Sequence, residues 1–233
     1  MKNKVVFIVT NLLICAIIVV TAVVGFLGGS AVTVSDGDGT IYYRSQSESA
    51  VSLMFNVYQG TDEVYEILDI LDGYGAEATF FIGGSWADDN VDCVREIASR
   101  GHEIASHGYF HKDHAALSYE ENIDEIVPSV KLLSMICGKD ISLFAPPSGA
   151  FNDYTVSACL ELGLKMIMWS KDTIDWRDND VNLIVSRATN GLEAGDFVLM
   201  HPTQSTVKAL PAILNYIRNC GFAACTVSYS LGE

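Results

Sequence analysis

The chain has 233 residues, a length that is ordinary for a single barrel-like α/β domain with a large core. It carries 29 acidic against 14 basic side chains, which gives a formal net charge of −15 at pH 7. Affinity for nucleic acid comes largely from Lys and Arg side chains that neutralise phosphates. This charge balance therefore excludes nucleic acid as an expected partner.

The N-terminus predicts a membrane anchor. Lys2 and Lys4 precede an apolar run over residues 5–28 that contains no charged side chain. A run of this length can span a bilayer, whereas the apolar part of a cleaved signal peptide is usually about 7–15 residues long. The two lysines place the N-terminus in the cytoplasm and the rest of the chain outside. We expect residues 1–31 to form a cytoplasmic stub and a single-pass anchor in the cell membrane; the alternative is secretion after cleavage near Ala31.

A short linker and one domain follow the anchor. Residues 32–48 are rich in Gly, Ser, Thr and Asp and predict the linker, and residues 49–233 form the domain. The predicted strands of the domain cover residues 51–57, 78–82, 104–106, 143–145, 165–169, 197–200 and 223–227. The predicted helices cover residues 61–74, 90–100, 118–136, 153–162, 181–189 and 207–219. This alternation predicts an α/β fold with a parallel sheet of about seven strands, curled into a complete or distorted barrel.

Polar side chains follow several of these strands, at the end where parallel barrels collect their active-site residues. They are Asn56, His107, His111, Asp172, Asp175 and His201. His107 and His111 would point in one direction from a helical turn and could share a metal ion, although a structural or surface role explains the spacing as well. A carboxylate of the Asp172–Asp175 segment could raise the pKa of His201 and make it a general acid. The alternative is a helix cap and a hydrogen-bonded core histidine.

The cysteines give no sign of a metal or redox site. Of the six, one lies in the apolar run, and the spacing of the others matches no CxxC pattern. We expect most of them to be buried free thiols, with a disulfide between Cys220 and Cys225 as a minor alternative.

Taken in order, these segments resemble the polysaccharide deacetylases that share the NodB homology domain, also called carbohydrate esterase family four. The second, fourth and fifth motifs of that family correspond to His107-Gly-Tyr-Phe-His111, Asp172-Thr-Ile-Asp175-Trp176 and Leu199-Met-His201. The likeness spans about residues 51–227. It implies a distorted parallel barrel and the metal-assisted removal of acetyl groups from N-acetylated sugars, such as those of peptidoglycan or chitin.

The resemblance also implies which residues carry the chemistry. His107 and His111 would hold a divalent metal, usually zinc, that polarises the acetamide carbonyl and activates a water molecule. His201 would protonate the leaving amine, and Asp172 would orient His201 or tune its pKa.

Four further residues would bind the substrate if the family pattern holds. Trp176 and Leu199 would line the small pocket that accepts the acetyl methyl group. The rigid turn at Pro147 and Ser148 would present the Ser148 backbone amide to the oxyanion.

Two motifs depart from the family pattern. The first motif normally supplies adjacent aspartates, one as general base and one as third metal ligand, whereas this chain has Asn56 and Val57. Ala145 stands where the third motif carries an arginine that pairs with the base. Asp62 or Glu63 could supply a substitute carboxylate if their loop folds inward; alternatively, they favour the start of the following helix.

These departures shape the expected function. We expect a metal-dependent, deacetylase-like hydrolase acting on N-acetylated cell-surface polysaccharide, with altered or reduced activity, because loss of a general base typically costs about 10² to 10⁴ in rate. The alternative is a catalytically inactive glycan-binding or scaffolding protein at the cell surface.

Overall fold

The computed structural model describes residues 41–232. The apolar run over residues 5–28 lies outside these residues, so the predicted anchor stays a prediction. Among the helices of residues 41–232, none combines the length and the apolar character that crossing a bilayer requires.

A curled sheet of nine parallel strands forms the centre of the described domain. The strands are β1 (Ile41–Tyr42), β2 (Ala50–Val57), β3 (Thr79–Ile82), β4 (Glu103–Ser106), β5 (Leu143–Phe144), β6 (Lys165–Ile167), β7 (Lys171–Asp172), β8 (Phe197–Met200) and β9 (Ala223–Cys225). Their order is β1-β6-β5-β4-β3-β2-β8-β7, with β9 beside the start of β2. Strand β6 pairs with β5, and β7, which follows β6 directly along the chain, pairs with β8. The two sides of the sheet therefore approach each other, and the sheet is curled into a half-barrel.

The described residues form eight α-helices, seven of them between strands and the last after β9. They are α1 (Thr61–Tyr74), α2 (Gly84–Asp89), α3 (Val91–Ser99), α4 (Tyr119–Cys137), α5 (Asp153–Glu161), α6 (Val181–Thr189), α7 (Gln204–Asn219) and α8 (Val227–Leu231). Local sequence explains several ends: Ser118 and Glu121 form a capping box at the start of α4, and Gly138 ends it with a left-handed φ of 68°. The predicted α/β alternation and parallel sheet are confirmed.

The alternation of side chains along β2 determines which of them point into the half-barrel. All eight residues of β2 are buried, and successive side chains point to opposite faces. Phe55 and Val57 belong to the large apolar cluster that β2 shares with α1 and α7, whereas Met54 packs in a second cluster with Leu199. Asn56 has the same parity as Met54, so it projects from the opposite face of the strand to Val57.

Short elements at both ends of the domain differ from the sequence prediction. Ile41 and Tyr42, which fall in the predicted linker, pair with β6, and Arg44 forms an ion pair with Glu193 at 3.0 Å. Residue 227, assigned from the sequence to the last strand, begins α8 instead, because the Thr226 side chain accepts a hydrogen bond from the backbone N–H of Tyr229 and caps that helix.

The cysteines of the described residues are all free thiols. Cys220 and Cys225 therefore form no disulfide, and the minor alternative is wrong. Cys93, Cys159 and Cys225 are buried, as expected for small apolar side chains.

The buried side chain of His102 predicts that the free energy of unfolding depends on pH. His102 is 2% exposed, its Nδ1 accepts the backbone N–H of Ala78 at 3.3 Å, and burial lowers its pKa to about 4. The unfolded chain, with a histidine pKa of about 6.5, binds this proton first as the pH falls, so stability is lost below pH 6.5. We expect His102 to account for a loss of about 3 kcal/mol in the free energy of unfolding between pH 7 and pH 4. Urea denaturation of wild type and His102→Gln measures this; equal losses in the two proteins would contradict it.

Candidate functional site

A cavity of about 410 Å³ opens at the C-terminal ends of the strands. Its lining residues lie at or just after the C-terminal ends of β2, β4, β5, β6, β7 and β8: Asn56, Tyr58, Gln59, His107, His111, Ser148, Trp169, Asp172, Trp176, Leu199, His201 and Pro202. The structure therefore brings the three histidines of the second and fifth motifs to one place. Tyr58, Gln59, Trp169 and Pro202 were not identified from the sequence, because no chemical signal marks a lining residue.

His107 and His111 form a close pair of neutral imidazoles. His107 is buried, and its Nδ1 donates to the carbonyl oxygen of Ala145 at 2.8 Å, which leaves the lone pair on Nε2. The two ring centroids are 5.1 Å apart. Burial lowers the pKa of His107 to about 3 and also lowers the pKa of His111, so both rings are unprotonated at neutral pH.

Glu125 of α4 holds the loop that carries the two histidines. Its Oε2 accepts the backbone N–H of Phe110 at 2.8 Å, and its Oε1 pairs with the ammonium of Lys112 at 3.0 Å. The loop needs this support because His111 has a left-handed φ of 56°, which is uncommon for a residue with a Cβ atom. The sequence contains no signal for this role, since Glu125 lies 14 residues after His111 in a different element.

The carboxylate that holds His201 is Asp175. Asp175 Oδ1 accepts from His201 Nδ1 at 2.8 Å, Oδ2 accepts the His201 backbone N–H at 2.7 Å, and the hydroxyl of Thr206 also donates to Oδ2. The Asp175 side chain is fully buried, whereas that of His201 is 24% exposed. This arrangement orients the ring and leaves Nε2 to carry or donate a proton on the side of the cavity.

Asp172 was expected to orient His201 or to tune its pKa, and the structure corrects the first of these roles, because Asp175 holds the ring. Its Oδ1 accepts the backbone N–H of Ile174 at 2.8 Å, a local turn that carries the chain to Asp175. Ile174 has a φ of 54°, so the turn reverses the chain tightly between the two carboxylates. Asp172 still lines the cavity, but its hydrogen bond is made to the loop and not to the imidazole.

The expected substrate-binding residues fall into two groups. Trp176, Leu199 and Ser148 line the cavity, with Trp176 59% exposed and Leu199 nearly buried. Pro147 is buried and does not line it in the described structure; it packs near Gly108, beneath the histidine loop. Pro147 therefore shapes the turn at Ser148 and makes no lining surface.

The first motif presents an amide where the family has carboxylates. Asn56 is 5% exposed, and its carboxamide forms no hydrogen bond with any described residue; its Oδ1 is fully buried. Val57 packs in the apolar core on the other face of β2. Tyr58 covers the edge of the site, and the centroid of its ring lies 4.6 Å from that of the His111 ring. The Tyr58 ring also packs against Gly83, where an added Cβ atom would come within 2.8 Å of it.

The donor set does not fit the divalent metal expected at His107 and His111. Over residues 41–232, no three His, Cys, Asp or Glu side chains are grouped so that they could hold a metal ion. Catalytic zinc sites use three protein ligands, and here the third position is Val57. Asp62 and Glu63 do not replace it: both lie in the first turn of α1, neither lines the cavity, and Glu63 accepts a hydrogen bond from Gln204. No catalytic step through a metal follows from these residues.

Sequence comparison decides the family. A profile of the polysaccharide deacetylases matches residues 43–167. The chain belongs to the polysaccharide deacetylase family. The resemblance read from the motifs is thus confirmed.

Two curated relatives of this polysaccharide deacetylase family member come from bacilli. The uncharacterized protein YlxY of Bacillus subtilis is 31% identical over 193 residues, which cover 83% of this chain but only 60% of that protein. A peptidoglycan-N-acetylglucosamine deacetylase of Bacillus cereus is 32% identical over 190 residues, which cover 78% of this chain and 88% of that enzyme.

Similar solved structures include a pseudoenzyme and a mutant of it. A CE4 family pseudoenzyme of Bacillus anthracis has a TM-score of 0.80 and 30% identity, covering 84% of this chain and 70% of that one. A mutant of the same pseudoenzyme with restored enzymatic activity has a TM-score of 0.80 and 28% identity, covering 84% and 72% of the two chains.

Proposed function

We propose that this domain binds N-acetylated cell-wall polysaccharide in the cavity and that its deacetylase activity is far below that of its enzymatic relatives. The observation that carries the proposal is the neutral, unpartnered carboxamide of Asn56 in a cavity that keeps the residues of the second, fourth and fifth motifs, His107, His111, Trp176, Leu199 and His201. An amide cannot accept a proton from water as a carboxylate does, whereas the surrounding cavity remains suited to a sugar.

The lining of the cavity supports glycan binding. Tyr58 and Trp176 expose aromatic faces at its edge, and Leu199 adds an apolar wall. Concave sites with aromatic walls and a few polar groups are typical of small-molecule binding, and sugar rings present apolar faces that pack on aromatic side chains. The Bacillus cereus relative is named for action on the N-acetylglucosamine of peptidoglycan, which supports the same substrate class here.

The remaining groups support weak hydrolysis. The pair of His201 and Asp175 keeps the arrangement of a general acid, able to deliver a proton from Nε2 to a leaving amine. The missing base at Asn56 removes about 10² to 10⁴ in rate. Residual turnover would therefore depend on His201.

A second candidate function is glycan binding or scaffolding with no catalysis. The incomplete metal donor set of the described residues favours it, as does the likeness to a family pseudoenzyme. In this case His201, held in place by Asp175, would serve only as a rigid wall of the binding site.

The proposal includes a location at the cell surface. The apolar run over residues 5–28 would hold the chain in the membrane as a single pass, with the domain outside. Extraction of membranes from expressing cells tests this: we expect the chain to resist carbonate and to require detergent, whereas release into the medium would support cleavage near Ala31.

A turnover and binding assay separates the two functions. Full-length protein in detergent would be incubated with N-acetylated chitooligosaccharides or peptidoglycan fragments, with zinc or cobalt, and acetate release and binding would both be measured. We expect binding, with turnover about 10² to 10⁴ below that of the Bacillus cereus enzyme. His201→Ala should abolish that turnover and keep the binding. Binding without any turnover would favour the second candidate, and absence of binding would contradict both.

A further inference from the structure

We infer that Thr206, in the first turn of α7, is a positioning residue for His201: its hydroxyl fixes the Asp175 carboxylate that orients the imidazole. The inference rests on the proposed function, in which residual turnover depends on His201. It adds a residue outside the segments that match the family motifs, and it names the element, α7, that sets the direction of the His201 ring.

The Asp175 carboxylate receives hydrogen bonds from two separate elements. Its side chain is fully buried, Oδ1 accepts from His201 Nδ1 at 2.8 Å, and Oδ2 accepts the His201 backbone N–H at 2.7 Å. The hydroxyl of Thr206 is the third donor and also meets Oδ2. The torsion that rotates a carboxylate is broad, so two donors from one residue define its plane only loosely. A third donor from another element fixes that plane.

The hydroxyl proton of Thr206 is directed at Asp175. Thr206 is buried, and its Oγ1 has two oxygen atoms as neighbours, Asp175 Oδ2 and, at 2.9 Å, Thr203 Oγ1. A carboxylate oxygen accepts, and a hydroxyl has only one proton to donate. Thr206 therefore donates to Asp175 and accepts from the hydroxyl of Thr203. Hydrogen bonds in such a row polarise and strengthen one another.

The start of α7 holds Thr206 in place. Thr203 is the N-cap of this helix, and its Oγ1 accepts the backbone N–H of Thr206 at 3.1 Å, so two hydrogen bonds join the two threonines. Helix α7 is itself fixed by a row of buried apolar side chains: Ala209, Leu210, Ile213, Leu214 and Ile217. A continuous row of hydrogen bonds thus runs from α7 to Nδ1 of His201, and it leaves Nε2 on the side of the cavity.

This row predicts that the Thr206 hydroxyl controls which nitrogen of His201 carries the proton. An acceptor held beside Nδ1 keeps the proton of the neutral ring there, and a carboxylate that rotates freely holds it less well. Nitrogen NMR of full-length protein with isotope-labelled histidine, in detergent and an alkaline chelating buffer, measures the ratio of the Nδ1–H to the Nε2–H form. The signals of His201 are those that disappear in His201→Ala. We expect Thr206→Val to lower this ratio about 5- to 10-fold, the effect of one hydrogen bond, and Thr206→Ser to restore it.

Thr203→Ala is the matched control for the loss of the hydroxyl. It removes the N-cap of α7 but leaves the Thr206 hydroxyl beside Asp175, so it should lower the Tm and keep the wild-type ratio. Thermal unfolding checks that each variant is folded, and Thr206→Ala removes the same hydroxyl if Thr206→Val does not fold. Acetate release should follow the ratio, with a fall of about 5- to 10-fold in Thr206→Val and recovery in Thr206→Ser.

The outcomes separate the inference from the function on which it rests. If Thr206→Val keeps the wild-type ratio, if Thr206→Ser does not restore it, or if Thr203→Ala lowers it equally, the inference is overturned. A lower Tm of Thr206→Val with an unchanged ratio would show that Thr206 only stabilises α7. If wild type releases no acetate while Thr206→Val lowers the ratio, the proposed hydrolysis fails and the positioning of the ring by Thr206 stands.

Discussion

Replacing Asp175 by alanine is expected to lower the free energy of unfolding by about 3–5 kcal/mol. The carboxylate is fully buried and accepts hydrogen bonds from the backbone and ring of His201 and from the hydroxyl of Thr206. Its removal leaves these donors without a partner and frees the His201 ring. Urea denaturation at pH 7 measures the loss.

Asp172→Ala is the matched control for that change. Asp172 is only partly buried and accepts one backbone N–H, from Ile174, so its loss should cost about 1 kcal/mol or less. Equal destabilisation by the two substitutions would contradict the assignment of Asp175 as the residue that holds His201.

The double variant Asn56→Asp, Val57→Asp is expected to gain a zinc site and deacetylase activity. It restores both carboxylates of the family's first motif, and a carboxylate at position 57 that turns from the apolar face of β2 toward His107 and His111 would complete three protein ligands. Because Val57 packs in the apolar core, the new carboxylate should destabilise the metal-free protein. Zinc at 100 times its Kd should then stabilise the variant by about 2.7 kcal/mol. Acetate release should rise by about 10² to 10⁴ over wild type.

Thermal unfolding with and without zinc, together with acetate release, checks this expectation. The control is the same double variant with His111→Ala, which should lose both the increase in Tm and the activity. Wild-type protein stabilised by zinc to the same extent would show that the carboxylates are not what completes the site. A double variant that folds but whose Tm does not rise with zinc would show that the side chain at position 57 cannot turn toward the cavity.

The main elements of the fold are readable from the sequence because each buried parallel strand is a short apolar run. The eight residues of β2 are buried on both faces, and α1 places Val64, Ile67, Leu68 and Leu71 on one buried face. Strand β1 is not readable in this way, because its two residues lie in a segment of linker-like composition. Its pairing with β6 is a tertiary contact that no local pattern encodes.

Part of the candidate site could also be predicted from the sequence. His107, His111 and His201 could be placed together because the C-terminal ends of parallel strands meet at one edge of the sheet. The choice between Asp172 and Asp175 could not be made, because both follow the same predicted strand, residues 165–169, and the left-handed Ile174 between them decides which one turns toward His201. The sequence shows that Asn56 replaces a carboxylate, but only the packing around it shows that its amide lacks a partner.

The central claim is that this cavity lacks a catalytic metal, and the zinc content of the purified protein tests it most directly. Purified full-length wild type and His111→Ala would be equilibrated with excess zinc, desalted and analysed for bound metal. With two imidazoles and no carboxylate ligand, we predict far less than one zinc ion per chain and the same content in both proteins. One zinc ion per wild-type chain, lost in His111→Ala, would contradict the account.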